Sequence, residues 1–196
     1  MKKLILVFAL VLYGNLHLKA QENSFYPEDN LPKFYLGIGT GINTYTGLLG
    51  ISANYRVDDN SFFQTGAGLS TWGYRFSVGY RYHTNIRNGF YFGGAITHST
   101  GIRDFVVELE TTNSAPDTQE VLLDLINVQT INLKTGYNVA IGKATNIHFD
   151  VGYALPINSR PWEVKDGSTL TAVSETVLAL IAPGGIILGL GINFGL

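Results

Sequence analysis

Arg56, Arg75, Arg81, Lys134, His148 and Asp150 are the side chains best placed to do chemistry, because each interrupts a run that is otherwise apolar, aromatic or glycine-rich. Arg75 and Arg81 fall in step with Ser77, Gly79 and His83, and His148 falls in step with Asp150 and Gly152. Alternate residues share one face of an extended chain, so these charges gather on one side of several strands. Such a face suits an enclosed interior in which charges pair or select ions. Arg81 and Asp150 stand at similar depth from their adjoining turns, so an Arg81–Asp150 pair across that interior is expected, as a satisfied structural ion pair. Arg56, Arg75 and Lys134 add positive charge with little interior acid to match. Their partners are expected among Asp104, Glu108 and Glu110 of a long loop or from water; an open passage favouring anions is the alternative.

Other chemistries find less to stand on. His83, His98 and His148 are the histidines beyond Ala20, they fall in three separate segments, and cysteine is absent, so no metal site is expected. Gly37-Ile38-Gly39 has phosphate-loop spacing, but it sits in an alternating run with no helix after it, and no nucleotide or other cofactor is expected. A net charge of -2 and a pI near 6.0 exclude the basic face that a nucleic-acid partner requires.

The elements that must hold these residues are strands. Ile186, Leu188, Leu190, Ile192, Phe194 and Leu196 occupy every second position, while Gly185, Gly189, Gly191, Asn193 and Gly195 fill most of the gaps. Glycine is costly in a strand, so a face made of it points to a crowded concave interior. The same alternation predicts strands over 33–43, 46–57, 61–70, 74–83, 90–96, 132–141 and 147–155, which with 185–196 makes eight. In the fourth, Tyr74, Phe76, Val78, Tyr80 and Tyr82 face away from Arg75, Ser77, Gly79, Arg81 and His83. Charge therefore points inward and grease outward, the reverse of a soluble lipocalin-type barrel. Past Ala20 no run is long and apolar enough for a spanning helix, because Pro183, Gly184 and Gly185 break the nearest candidate.

The connections differ in length. Those at 58–60, 85–89 and 143–146 are short and hydrophilic, whereas 99–127 and 156–184 lack alternation and fall on the opposite side. Phe34, Tyr55, Phe63, Tyr82, Phe90, Phe92, Phe149 and Phe194 gather outward beside the short turns, as an interfacial girdle does. The 101–127 loop is expected either to prolong strands five and six as a protruding sheet that an external partner could meet or to form a self-contained hairpin or cap that contacts nobody. The 174–182 stretch reads equally as a short amphipathic helix near the barrel mouth or as a collapsed loop, and Trp72 and Trp162 are expected at the external interface. Lys2 and Lys3, an apolar stretch over 4–13 and Ala20 before Gln21 read as a cleaved secretory signal over 1–20, followed by a periplasmic segment over 21–32.

Across 33–196 this pattern resembles the small outer-membrane β-barrel family of the OmpA and OmpX type. Its most specific piece is the closing run from Gly185 to Leu196, although the family ends in an aromatic and this chain in Leu196. The resemblance implies an eight-stranded antiparallel up-and-down transmembrane barrel with a side-chain-filled lumen and no enzymatic activity. It also implies a structural or surface-interaction role in a bacterial outer membrane, in contact with lipid and lipopolysaccharide. The closing strand would address the outer-membrane assembly machinery. Binding or transport of a small or hydrophobic solute is the second reading. The third is a rim lipid hydrolase of the lipid A deacylase kind built on His98, Ser99 and loop acids, whose spacing does not match that family's motif.

Overall fold

The computed structural model describes residues 31–142, 144–157 and 160–196. The expected signal segment and nearly all of the one after it lie outside them. Among the described residues the strands are β1 (Phe34–Ile42), β2 (Leu49–Arg56), β3 (Ser61–Ser70), β4 (Gly73–His83), β5 (Asn88–Ser99), β6 (Ile102–Glu110), β7 (Thr118–Leu125), β8 (Val128–Ile141), β9 (Thr145–Pro156), β10 (Trp162–Val164) and β11 (Gly185–Gly195). One helix, α1 (Ala172–Ile181), precedes β11.

The eight runs that alternate in sequence are β1, β2, β3, β4, β5, β8, β9 and β11, and they close into an antiparallel barrel in which β1 pairs with both β2 and β11. Closure removes the free edges that would otherwise leave backbone donors and acceptors unpaired. The strands are staggered. A ladder that starts at Phe34 passes through Tyr55, Phe63, Tyr80, Gly94, Leu133 and Tyr153 to Ile186, beyond Leu188, which pairs with Ile42 at the far end of β1. That stagger accompanies the strand tilt a closed barrel needs.

The two faces are inverted relative to a water-soluble barrel. Ile38, Ile51, Tyr74, Leu133, Tyr153 and Ile186 are all exposed on the exterior, while Asn54, Gln64, Arg75, Arg81, Asn132, Lys134, His148 and Asp150 are buried inside.

Three expectations need correction. The alternation predicts a second strand from Thr46, but Thr44, Tyr45 and Thr46 belong to the β1–β2 loop, which folds back into the barrel and is buried there. A side chain at Gly68 would meet the Thr46 carbonyl oxygen at 2.0 Å, and one at Gly66 the Tyr45 carbonyl oxygen at 2.8 Å. The glycine face thus makes room for a loop as well as for side chains of other strands. The 99–127 segment does not prolong the β5–β8 ladder. Gly101 (φ 78°) turns the chain away, and β6, β7 and β10 form a separate sheet in the order β10-β7-β6. Trp72 and Trp162 are not interfacial anchors but part of that sheet's core, with Val121, Leu123, Leu125, Val128 and Leu178.

Candidate functional site

The polar interior is built on four adjacent strands, β4, β5, β8 and β9. Antiparallel pairing puts Gly136 opposite Asp150 and Gly152 opposite Lys134, so the Lys134 and Asp150 side chains converge diagonally over a glycine floor. Lys134 Nζ stands 3.5 Å from Asp150 Oδ1, an ion pair in which Nζ makes no hydrogen bond. The same Nζ lies 4.0 Å from the Tyr45 ring centroid. The Tyr91 hydroxyl donates to Asp150, and His148 Nε2 is 3.8 Å from the other carboxylate oxygen. His148 is clamped at both nitrogens, by Asn193 Nδ2 at 3.1 Å and by the Tyr45 hydroxyl at 3.2 Å.

The expected Arg81–Asp150 pair is therefore replaced by Lys134–Asp150. Neighbouring strands bring side chains closer than opposite walls can, and the aromatic rings of Tyr45 and Tyr91 stand in the way of the longer reach. Arg81 instead donates through Nη2 to Asn54 Oδ1 at 2.5 Å and lies 5.2 Å from the Tyr91 ring centroid and 5.8 Å from that of Tyr45. Arg75 also finds no acid. Its Nε donates to Ser99 Oγ at 3.1 Å and its Nη1 to the Thr44 carbonyl at 3.2 Å, which ties the inserted loop to the wall. Ser77 Oγ donates to the Tyr45 carbonyl at 2.7 Å, Asn43 bridges to the Gly184 and Ile186 carbonyls, and Asn132 Nδ2 donates to the Asn43 carbonyl at 3.0 Å. Arg56 is half-buried at the end of β2, apart from the central cluster. The loop acids Asp104, Glu108 and Glu110 lie on β6 in the second sheet, so they do not serve the interior cations.

Among the girdle residues Phe34, Tyr55, Phe63, Tyr82, Phe92, Phe149 and Phe194 are exposed on the exterior toward the short-turn ends, and Phe90 is half-buried against Tyr137, their rings 5.0 Å apart and edge to face. His98 and Ser99 are consecutive on β5 and so face opposite ways. Ser99 Oγ is occupied inside by Arg75, whereas His98 stands in register with the outward-facing Phe76. That separates the base from the nucleophile that a hydrolytic pair would need within hydrogen-bond reach. Among the described residues no cluster of three or more histidine and acidic side chains is arranged to hold a metal.

A second site stands beyond the long-loop end. Val121, Leu123 and Leu125 of β7 alternate into the core with Phe105, Val107 and Leu109 of β6, and α1 packs Leu178 on them. Thr171 caps α1 by accepting from Ser174 N, and Trp72 Nε1 donates to the Ile126 carbonyl at 2.9 Å, pinning the sheet to the β3–β4 turn. Lys165 ties two acids together, Asp124 at 3.0 Å and Asp104 at 3.4 Å. The backbone N–H of Asp104 donates to Asp124, and this bond, helped by Lys165, holds the Asp124 carboxyl below the usual range. Beside it an open cleft of about 600 Å³ is lined by Trp162, Ser168, Thr169 and the Arg160–Glu175 pair, 2.8 Å apart. Away from its buried Ser174 and Leu178 face, α1 exposes Val173, Val177 and Leu180.

Tyr91 was legible in sequence, since it falls in the inward phase of β5 between Phe90 and Phe92. Tyr45 was not, because a loop side chain has no phase.

No protein-family model matches this chain, and no curated protein does. Among solved structures it is similar in fold to the N-terminal β-barrel domain of Pseudomonas aeruginosa OprF, with 10% sequence identity, a TM-score of 0.43, and coverage of 83% of this chain and 96% of that one.

Proposed function

We propose that this chain is an integral outer-membrane protein whose barrel is a closed anchor and whose external sheet is the part that meets other molecules. The observation that carries this reading is the inversion of faces. Leaving residues such as Ile51, Leu133 and Ile186 in water forgoes roughly 1.5–3 kcal/mol for each large apolar side chain, whereas hydrocarbon accepts them. Hydrocarbon in turn accepts only structures that satisfy their own backbone, which a closed barrel does. The aromatic residues near the short turns would sit at one interface, in contact with phospholipid, and the long-loop end would face lipopolysaccharide and the outside. α1 would rest its Val173, Val177 and Leu180 stripe on the outer leaflet, since the Thr71 hydroxyl ties the Ile181 carbonyl to the β3–β4 turn from which Leu69 and Tyr74 point outward. β11, which closes the barrel on β1, would be the strand read by the assembly machinery.

The inserted β1–β2 loop and the Lys134–Asp150–His148 cluster favour a sealed interior over a conducting one. The unmatched interior cations Arg75 and Arg81 favour anion passage as a second reading. Fractionation followed by gel migration of boiled and unboiled samples tests the membrane assignment: outer-membrane recovery with heat-dependent mobility supports it, and recovery in the soluble periplasm overturns it. Planar-bilayer recordings separate the two interiors, because a sealed barrel gives no steps and the second reading requires anion-selective ones.

A further inference from the structure

We infer that the short-turn half of the barrel interior holds one monatomic anion, of the chloride class, between Arg81 and His83. Arg81 is 2% exposed and commits Nη2 to Asn54, but its Nε and Nη1 are buried without a hydrogen-bond partner. Nδ1 of His83 is buried and unpartnered as well. Buried polar groups are nearly always satisfied, so the orphans of Arg81 and His83, side chains that line one void, point to an occupant shared between them.

The space for that occupant is present. A void of about 10 Å³ is lined by Arg81, His83, Asn54, Asn138, Asn146 and Asn193. That is the scale of one water or one monatomic ion, not of an organic anion. His83 is held at its wall by rings on both sides, Phe62 and Tyr91, each with its centroid 5.0 Å away. The amide nitrogens of Asn54, Asn138 and Asn193 are already donating elsewhere, so the orphaned donors at the void belong to Arg81 and His83, beside the Asn146 amide and the Tyr35 hydroxyl that also line it.

Charge decides between water and ion. Arg75, Arg81 and Lys134 are buried in the barrel against one buried acid, Asp150, and that acid is engaged by Lys134, His148 and Tyr91. Among the described residues no carboxylate forms an ion pair with Arg81. A water would satisfy a donor and leave the charge surplus in a low-dielectric interior, whereas an anion satisfies both.

The test uses the full native chain refolded in detergent. Crystals grown in bromide are examined at the bromine absorption edge, and the thermal unfolding midpoint is followed as chloride replaces gluconate at constant ionic strength, gluconate being too large for the void. The expected results are a bromine peak within hydrogen-bond distance of an Arg81 nitrogen and His83 Nδ1, and a saturable rise in midpoint of roughly 5–11 °C at a hundredfold excess over the dissociation constant. Arg81→Gln should lose the rise while keeping heat-dependent gel mobility; if that variant does not fold, the native crystals decide. An ordered water in the void without bromine signal overturns the inference, and so does bromine at crystal concentration only, with no midpoint shift. The proposed anion site lies wholly in the barrel interior, so its absence would leave the proposed role of the external sheet untouched.

Discussion

Replacing Asp150 with asparagine should destabilise the barrel by about 3–5 kcal/mol, the usual cost of leaving a buried charge without its partner. The Lys134 and Asp150 side chains are 3% and 2% exposed, so water cannot take over the lost interaction. Asparagine keeps the volume and can still accept from the Tyr91 hydroxyl, which leaves electrostatics as the main loss. Lys134→Met should cost less, about 2 kcal/mol, because Asp150 keeps Tyr91 and His148 as hydrogen-bonding and charge-accepting neighbours. The double variant removes both charges and should be more stable than Asp150→Asn alone, since well-packed neutral groups replace buried pairs at little cost. Urea unfolding of protein refolded in lipid vesicles, read by the far-ultraviolet circular dichroism of the barrel strands and by gel mobility, gives all three values. If the two single costs simply add in the double variant, the pair is not a desolvated interior contact and the reasoning fails.

Gly68→Ala should cost about 1–3 kcal/mol or prevent refolding, because its methyl would meet two backbone oxygens, those of Thr46 and Leu49, at 2.0 and 2.4 Å; an unfolding midpoint equal to that of the native chain would show that the loop is not seated there. Leu133→Arg, on the exterior mid-strand, should cost roughly 2–4 kcal/mol for folding into bilayers, and Ile141→Arg at the strand end about 0–1; equal costs in vesicle folding titrations would contradict a lipid-facing exterior. Trp72→Ala should loosen the external sheet by about 3–5 kcal/mol while the barrel survives, seen as new proteolytic cuts within 102–125 but unchanged heat-dependent mobility. The Asp124 contribution to that sheet should be fully present above the ordinary carboxyl value of 3.8 and disappear as pH falls through its lower folded value, whereas Lys165, held upward first by its bond to Asp124, should lose its contribution only as pH rises above 10.5. Carboxyl chemical shifts and protease sensitivity across pH measure both limits.

Barrel strands announced themselves because one face had to be uniformly apolar and the other could not be. Ile186 to Leu196 and Tyr74 to His83 gave phase, direction and the inward set in one reading. The external sheet was harder to see for a physical reason. Its strands also alternate, as Phe105, Val107 and Leu109 do, but the outward positions mix Val106 and Glu108, so the contrast between faces is weak. Its third strand has three residues and comes from a distant segment, which only tertiary packing reveals. The interior pairing failed at the same level: depth along a strand was legible from turn positions, whereas the choice of Lys134 over Arg81 depends on registry between neighbours and on a tyrosine delivered by a loop.

The inward course of residues 43–48 bears on how this scaffold tolerates engineering. A foreign epitope spliced there would have to be swallowed by the wall that grips Thr44 and Tyr45, or else evict them. The tip from Thr112 to Asp117, mostly exposed and remote from that wall, is the natural place to graft a display peptide.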